Sequence, residues 1–132
     1  MKEMPPKRDI RIVGRGNWDL IHTICGKAVD IFHIQFALYL IKELREWFFC
    51  LDCRAHINEY AEKHPPRAVA DQPGGLFRWS VDLHNEVNER HDPPKPKMSY
   101  EEAFDLYLGE GSECHHCHKG GEEIVAIEPT VV

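Results

Sequence analysis

The segment DIFHIQFALYLIKELREWFF, residues 30–49, is rich in apolar side chains that recur at steps of three and four residues. That spacing is the period of an α-helix. The members of the main stripe are Ile34, Leu38, Ile41, Leu44 and Phe48. Four more apolar residues, Ile31, Phe36, Leu40 and Trp47, widen the stripe well beyond one buried face. The segment therefore predicts a helix that packs against two partners.

Helical periods continue on both sides of this segment. Toward the N-terminus, Trp18, Ile21, Cys25 and Ala28 predict a helix from about Asn17 to Lys27, with Asn17 as its N-cap. Toward the C-terminus, helices are predicted over 51–63, over 75–91 and over 99–108. The first of these must end at His64-Pro65-Pro66. The last opens with Ser99 and Glu102 in the pattern of a capping box.

Five helices joined by short loops, with no strand, predict an all-α fold, a compact bundle with antiparallel neighbours. The 132 residues are enough for one compact domain and too few for two ordinary ones. We divide the chain into an N-terminal extension (1–13), a helical domain (14–108) and a polar, glycine-rich C-terminal tail (109–132) that is expected to be flexible.

Composition excludes several classes of partner and location. Sixteen Lys and Arg against 22 Asp and Glu give a net charge of −6, which disfavours binding to nucleic acid. No apolar run approaches the roughly 18 residues of a membrane span, and the first 13 residues carry no secretory signal. We expect no membrane association and a cytoplasmic location, which includes a viral assembly site in a host cell, or the mitochondrial intermembrane space.

The five cysteines are one single thiol, Cys25, and two C-x-x-C pairs. The pair Cys50 and Cys53 lies at the start of a predicted helix, where unpaired backbone N–H groups favour a thiolate. Spacing of i, i+3 lets the two sulfurs form a reversible disulfide, and His56 follows on the same face. Half of a zinc site is the alternative for this pair, but its aromatic, apolar surroundings favour redox chemistry.

Aromatic and imidazole groups recur one helical turn apart on two predicted helices. Trp18 and His22 lie on the first helix, and His84, Asn85 and Asn88 lie on the fourth. Taken singly, each is more often a satisfied core or surface residue than a ligand. Together they favour a planar heteroaromatic cofactor held between helices.

The order of these motifs resembles the Erv/ALR family of FAD-dependent sulfhydryl oxidases. The resemblance rests on Gly14 to Thr23, on the Cys50–Cys53 pair with His56, and on Trp79 followed by His84 to Asn88, and it covers roughly residues 14 to 108. The segment 95–103 further resembles the short members carried by large DNA viruses.

The resemblance implies a four-helix bundle with a short fifth helix, in which FAD is held at the bundle mouth beside the C-x-x-C pair. It implies that Cys53 lies next to the flavin and that Cys50 exchanges with a dithiol in a substrate protein, thioredoxin-like or another redox partner. Electrons then pass to FAD and to molecular oxygen, giving hydrogen peroxide. A homodimer is also implied. The positions matching FAD contacts are Arg15, Trp18, His22, His56, His84, Asn85, Val87, Asn88 and Lys95, with weaker matches at Tyr100 and Tyr107.

Two features depart from, or extend, the family pattern. Ala61 and Val81 stand where most members carry a structural disulfide, so stability must come from packing or dimerisation. The tail pair Cys114 and Cys117, with three neighbouring histidines, matches the shuttle cysteines that many members carry on a mobile arm. A metal site is the alternative for this pair.

The competing interpretation for the whole chain is a helical zinc-binding interaction module that uses both C-x-x-C pairs. Its weakness is spacing, because positions 50 and 117 are 67 residues apart. The expected separation of zinc-binding pairs is roughly 15–20 residues. Cys25, on an apolar stripe, is expected to be a buried small hydrophobe.

Overall fold

The computed structural model describes residues 10–109, and their side chains from residue 14 onward. Within that range the chain forms five α-helices and one short 3₁₀ turn, and no strand. The helices are α1 (Ile10–Gly26), α2 (Ile31–Trp47), α3 (Leu51–Lys63), α4 (Gly75–Glu89) and α5 (Tyr100–Leu108), and the 3₁₀ turn is Pro66–Ala68. The all-α prediction is confirmed. Helices α1 to α4 pack in a ring, α1 against α2, α2 against α3, α3 against α4 and α4 against α1, while α5 packs on α1 and α4.

Three helices begin where the sequence places a capping side chain. Asp30 Oδ1 accepts from the His33 N–H at 2.9 Å, and Cys50 Sγ accepts from the Cys53 N–H at 3.3 Å. Ser99 Oγ accepts from the Glu102 N–H at 3.1 Å. Each contact satisfies a backbone donor that the first helical turn leaves open. These caps fix the starts of α2, α3 and α5, and the one at Ser99 was predicted from the sequence.

Helix α1 begins earlier than the sequence suggests. Its first residue is Ile10, so the prediction that Asn17 caps it is wrong, and the boundary between residues 13 and 14 falls inside α1. Gly14 lies within α1, where the missing side chain leaves room for the Phe49 ring. A Cβ on Gly14 would lie 3.0 Å from Cζ of Phe49. Helix α4 likewise ends at Glu89, two residues before the predicted end at His91.

Helix α2 packs against α1 and α3 through one side only. Ile41 and the capping residue Phe48 are buried, as the main stripe predicts, and Ala37, which is not part of that stripe, is buried as well. Residues that widen the stripe remain in solvent: Ile31 is 59% exposed, Phe36 54% and Trp47 73%. Helix α2 thus has the two partners that the sequence predicts, α1 and α3, and these partners leave part of the widened stripe exposed.

Helix α4 is buried on two sides. Leu76, Trp79, Leu83 and Val87 join the main core, while Phe77 and Val81 pack with Ala103 of α5. Ala61 and Val81, the positions of the missing disulfide, are 3% and 2% exposed. Packing thus fills both positions.

The turn that starts α4 depends on two glycines. Gly74 has a φ of 67°, in the left-handed region that favours glycine. A Cβ on Gly75 would collide with the carbonyl oxygen of Val69. Because that neighbour is backbone, it has no side-chain torsion through which to move away.

No helix in residues 10–109 has both the length and the apolar character needed to cross a bilayer.

Candidate active site

A cavity of about 520 Å³ opens between α1, the start of α3, α4 and the segment that follows α4. Eight residues singled out from the sequence line it: Arg15, Trp18, Cys50, Cys53, His84, Val87, Asn88 and Lys95. Tyr107, a weaker match, lines it as well. The structure therefore brings both cysteines of the first pair together with the aromatic and cationic side chains expected around them.

The two cysteines differ in exposure. Cys50 is partly buried and is the N-cap of α3, whereas Cys53 is only 8% exposed. Both are free thiols here. Cys50 is thus the sulfur that an incoming protein can reach more easily, and Cys53 is the inner one.

The environment of Cys53 opposes the thiolate. Burial raises the pKa of the Cys53 thiol to about 12, and the hydrogen bond and charge of Cys50 and the charge of Asp52 add to the shift. The Lys95 ammonium acts in the opposite direction. The expectation that the helix start favours a thiolate is therefore wrong for Cys53, because burial outweighs it.

Two parallel rings form one wall of the cavity. The rings of Trp18 and His84 stack with centroids 3.9 Å apart and planes 8° from parallel. They come from facing positions on α1 and α4, which pack directly against each other. The wall is flat and aromatic, as a planar ligand requires.

His22 lies one layer behind this wall and does not line the cavity. It is 1% exposed, and its Nε2 lies 2.9 Å from Nδ1 of His84. Its Nδ1 lies 3.0 Å from Oγ of Ser80. Burial lowers the pKa of His22 to about 4 and, with nearby positive charges, that of His84 to about 3. Both rings are therefore neutral at neutral pH.

The segment after α4 carries the cationic side of the cavity. The Lys95 N–H donates to the carbonyl oxygen of Asn88 at 2.9 Å, and Asn88 Nδ2 donates to the Pro96 carbonyl at 3.4 Å. These bonds hold the segment against the end of α4. The Lys95 charge contributes to lowering the pKa of His84 and of His91, so it acts across the cavity.

Three other predicted cofactor residues lie away from the cavity lining. Asn85 forms a pair of hydrogen bonds with the backbone of Met98, both 2.8 Å. The Tyr100 hydroxyl donates to Asp82 at 2.7 Å. His56 is partly buried on α3, and its charge contributes to lowering the pKa of His91. The structure gives Asn85 and Tyr100 partners within the fold. Cys114 and Cys117 lie outside the described residues.

The cavity also contains residues that the sequence interpretation missed, among them Asp19, Phe49 and His91. His91 could have been found, because it continues the α4 face of His84 and Val87 at helical spacing. Asp19 follows Arg15 by one turn in the same way. Phe49 gave no such signal, since its position depends on the close approach to Gly14.

A second cavity, of about 690 Å³, lies between the end of α1, the start of α4 and α5. Phe77, Tyr100, Phe104 and Leu108 are among its lining residues. No cysteine or histidine of residues 10–109 lines it.

The third described cysteine, Cys25, and the search for a metal site complete the account of residues 10–109. Cys25 is 3% exposed, which confirms the expectation of a buried small hydrophobe, and burial raises its pKa to about 12. Between residues 10 and 109 no three His, Cys, Asp or Glu side chains are arranged to hold a metal ion.

Comparison with known proteins identifies the relatives of this chain. The model of the Erv1 / Alr family matches residues 15–106. The crystal structure of the yeast Erv1 core is similar in fold, with a TM-score of 0.67 at 18% identity, over 84% of this chain and 93% of that one. A search of curated proteins finds no match.

Proposed function

The chain belongs to the Erv1/Alr family of flavin-linked thiol oxidases, and from this premise we propose that it is a FAD-dependent sulfhydryl oxidase. It forms disulfide bonds in substrate proteins and delivers the electrons to molecular oxygen, giving hydrogen peroxide. One observation carries the proposal. The Cys50–Cys53 pair shares a cavity with the stacked rings of Trp18 and His84.

The residues of the cavity fit a flavin dinucleotide. Its volume of about 520 Å³ lies within the usual range of cofactor sites, about 300–1,000 Å³. Trp18 and His84 offer an aromatic plane, while Arg15 and Lys95 offer cations suited to a diphosphate. Val87 and Asn88 complete the α4 wall. When bound, FAD supplies a two-electron acceptor that reoxidises the cysteine pair and reduces oxygen.

The first half of the reaction is thiol–disulfide exchange at Cys50. A substrate thiolate attacks Cys50 Sγ of the oxidised pair, a substrate–Cys50 bond forms, the Cys50–Cys53 bond breaks, and Cys53 leaves as a thiolate. The second substrate thiolate then attacks the substrate sulfur of the mixed disulfide and releases Cys50. Two electrons have moved to the pair. Cys50 takes the outer role because it is the more exposed sulfur.

The Lys95 ammonium supports the departure of Cys53. A thiol with a high pKa is a poor leaving group, and burial gives Cys53 a pKa of about 12. A positive charge close to the sulfur stabilises the thiolate that forms. Lys95 is the residue whose charge lowers the pKa of Cys53.

The test of this function is the visible spectrum of the purified protein. We expect a flavin band that bleaches when a small dithiol is added without oxygen and that recovers in air, with hydrogen peroxide formed as the band returns. A colourless protein that releases zinc on treatment with a thiol-modifying reagent would instead support the zinc-binding module.

For the tail we propose that Cys114 and Cys117 shuttle electrons from the substrate protein to the Cys50–Cys53 pair. The support is the second C-x-x-C spacing in a family whose members often carry such a pair. Removal of residues 112–132 should leave the rate with a small dithiol unchanged and slow the rate with a reduced protein substrate. Equal protein-substrate rates in both forms would exclude the shuttle.

We further propose that the protein is a homodimer joined through the outer face of α2. Ile31, Phe32 and Phe36 are all more than half exposed on this helix, and an apolar patch of this kind on a single chain marks an interface. Phe36→Glu should convert the dimer to a monomer in analytical ultracentrifugation. Lys42→Glu, a charge change at an exposed position of the same helix, is the matched control.

A further inference from the structure

A line of hydrogen-bonded side chains runs from the core to the wall of the cysteine cavity, and we propose that Ser80 at its inner end determines which nitrogen of His84 carries the proton. The line passes from Ser80 through His22 to His84, with separations of 3.0 Å and 2.9 Å. Ser80 is 0% exposed and His22 is 1% exposed. Water therefore has little access to these side chains and cannot replace one of their hydrogen-bond partners.

The hydroxyl of Ser80 determines which group donates and which accepts in each hydrogen bond of the line. Its Oγ lies 2.6 Å from the carbonyl oxygen of Phe77. A carbonyl oxygen has no proton, so two oxygens this close require the Ser80 hydroxyl to donate. The one proton of Ser80 is then used, and its oxygen can only accept from His22.

The donor and acceptor roles of His22 then fix those of His84 at the cavity wall. A neutral imidazole carries one N–H and one bare nitrogen. Since His22 must donate from Nδ1 to Ser80, its Nε2 is bare and accepts from Nδ1–H of His84. The proton of His84 is thus held on the core side of the ring. Its Nε2, at the other edge of a ring that lines the cavity, is a proton acceptor.

This assignment selects the chemical group that can bind beside His84. An N–H or O–H of the ligand can donate to Nε2, whereas a phosphate oxygen meets a lone pair and is repelled. If the proposed function holds, His84 faces a hydroxyl or amino group of FAD. This step alone rests on the proposed function. The diphosphate is then left to the cationic side of the cavity at Arg15 and Lys95. Ser80 is a positioning residue, since it acts through His22 and His84.

The proton positions are measurable by ¹⁵N NMR of the histidine side chains in the full-length protein as purified, at neutral pH. We expect His22 and His84 both to show a protonated Nδ1 and a bare Nε2, the less common tautomer of a free imidazole. A protonated Nε2 on His84 would overturn the proposal. This reading needs no bound flavin, so it remains informative even if the oxidase function is wrong.

Replacement of the serine tests its role. Ser80→Ala removes the acceptor for His22 Nδ1–H, so both histidines should become mixtures of the two tautomers, and the protein should bind added FAD several-fold more weakly. Ser99→Ala, which removes a hydroxyl at the start of α5, should leave the histidine signals unchanged. If Ser80→Ala keeps the wild-type tautomers, Ser80 does not direct the line and the proposal fails.

Discussion

The larger of the two cavities in this protein lacks the reactive side chains, and the smaller one contains them. The larger one, beside α5, is lined by aromatic and aliphatic side chains with Arg78 and two carboxylates. The smaller one holds both cysteines of the first pair, the Trp18–His84 wall and Lys95. Volume alone would select the cavity beside α5. The convergence of a nucleophile, a flat aromatic wall and a cation makes the smaller cavity the candidate active site.

The sharpest test of this contrast is loss of either sulfur from the smaller cavity. Cys50→Ser and Cys53→Ser should each reduce dithiol-dependent oxygen consumption to the background rate, because a single thiol cannot form the disulfide that the relay needs. Oxygen uptake with a small dithiol is the measurement. Cys25→Ala, a buried thiol outside both cavities, should retain activity. Full activity in either serine variant would exclude the relay.

A large but indirect effect is expected from the aromatic wall. Trp18→Ala removes the ring that stacks on His84 and should abolish flavin retention while it destabilises the fold by about 3–5 kcal/mol. The absorbance ratio of flavin to protein and a urea titration measure the two effects. Phe104→Ala, an aromatic deletion in the larger cavity, should keep the flavin. Similar flavin loss in both variants would mean that the cavities are not functionally distinct.

A moderate effect should follow from removal of the cation. Lys95 lowers the pKa of Cys53, so Lys95→Gln should raise that pKa, make Cys53 a poorer leaving group and slow thiol exchange several-fold. The stopped-flow rate with a small dithiol at a fixed pH is the measurement. Lys97→Gln, whose ammonium pairs with Glu89 at 3.3 Å on the surface, is the control. An unchanged or faster rate of exchange in Lys95→Gln would contradict this electrostatic role.

The smallest effect is expected for Tyr100, which the family resemblance places at the cofactor. Its hydroxyl is bonded to Asp82, and its ring lines the larger cavity. Tyr100→Phe should change stability by no more than about 1 kcal/mol, since the bond is exposed, and should leave flavin content unchanged. Loss of flavin in this variant would show that the two cavities communicate.

Local signals account for the parts of the fold that the sequence predicted well. The bounds of α3 follow from Cys50 as its cap and from His64-Pro65 at its end, and α5 follows from Ser99 and Glu102. Both depend on residues within one turn of the helix end. The start of α1 was missed because the apolar period was counted from Trp18 with Asn17 as its cap, whereas the helix continues back through Gly14, which accommodates Phe49 from 35 positions away.

The candidate site likewise contains residues that the sequence could predict and residues that depend on tertiary packing. Trp18 with His22 and His84 with Asn88 could be grouped because helical spacing puts each pair on one face of its helix, whereas Val87 was assigned to the site through the family resemblance. The partners of Asn85 and Tyr100, which are Met98 and Asp82, come from other elements of the chain. No periodicity within one helix contains that information. Tertiary packing therefore determined which polar residues face the cavity and which hold the fold together.

The contact at Gly75 sets a rule for how the length of this chain can vary in evolution. The carbonyl of Val69 fixes where α4 begins, and His84 follows nine positions later, about 13.5 Å along the axis. One inserted residue between them would turn His84 by about 100° away from Trp18. Insertions and deletions should therefore be absent from 75–84 in related sequences, and a conserved glycine-to-histidine interval should mark those that keep this cavity.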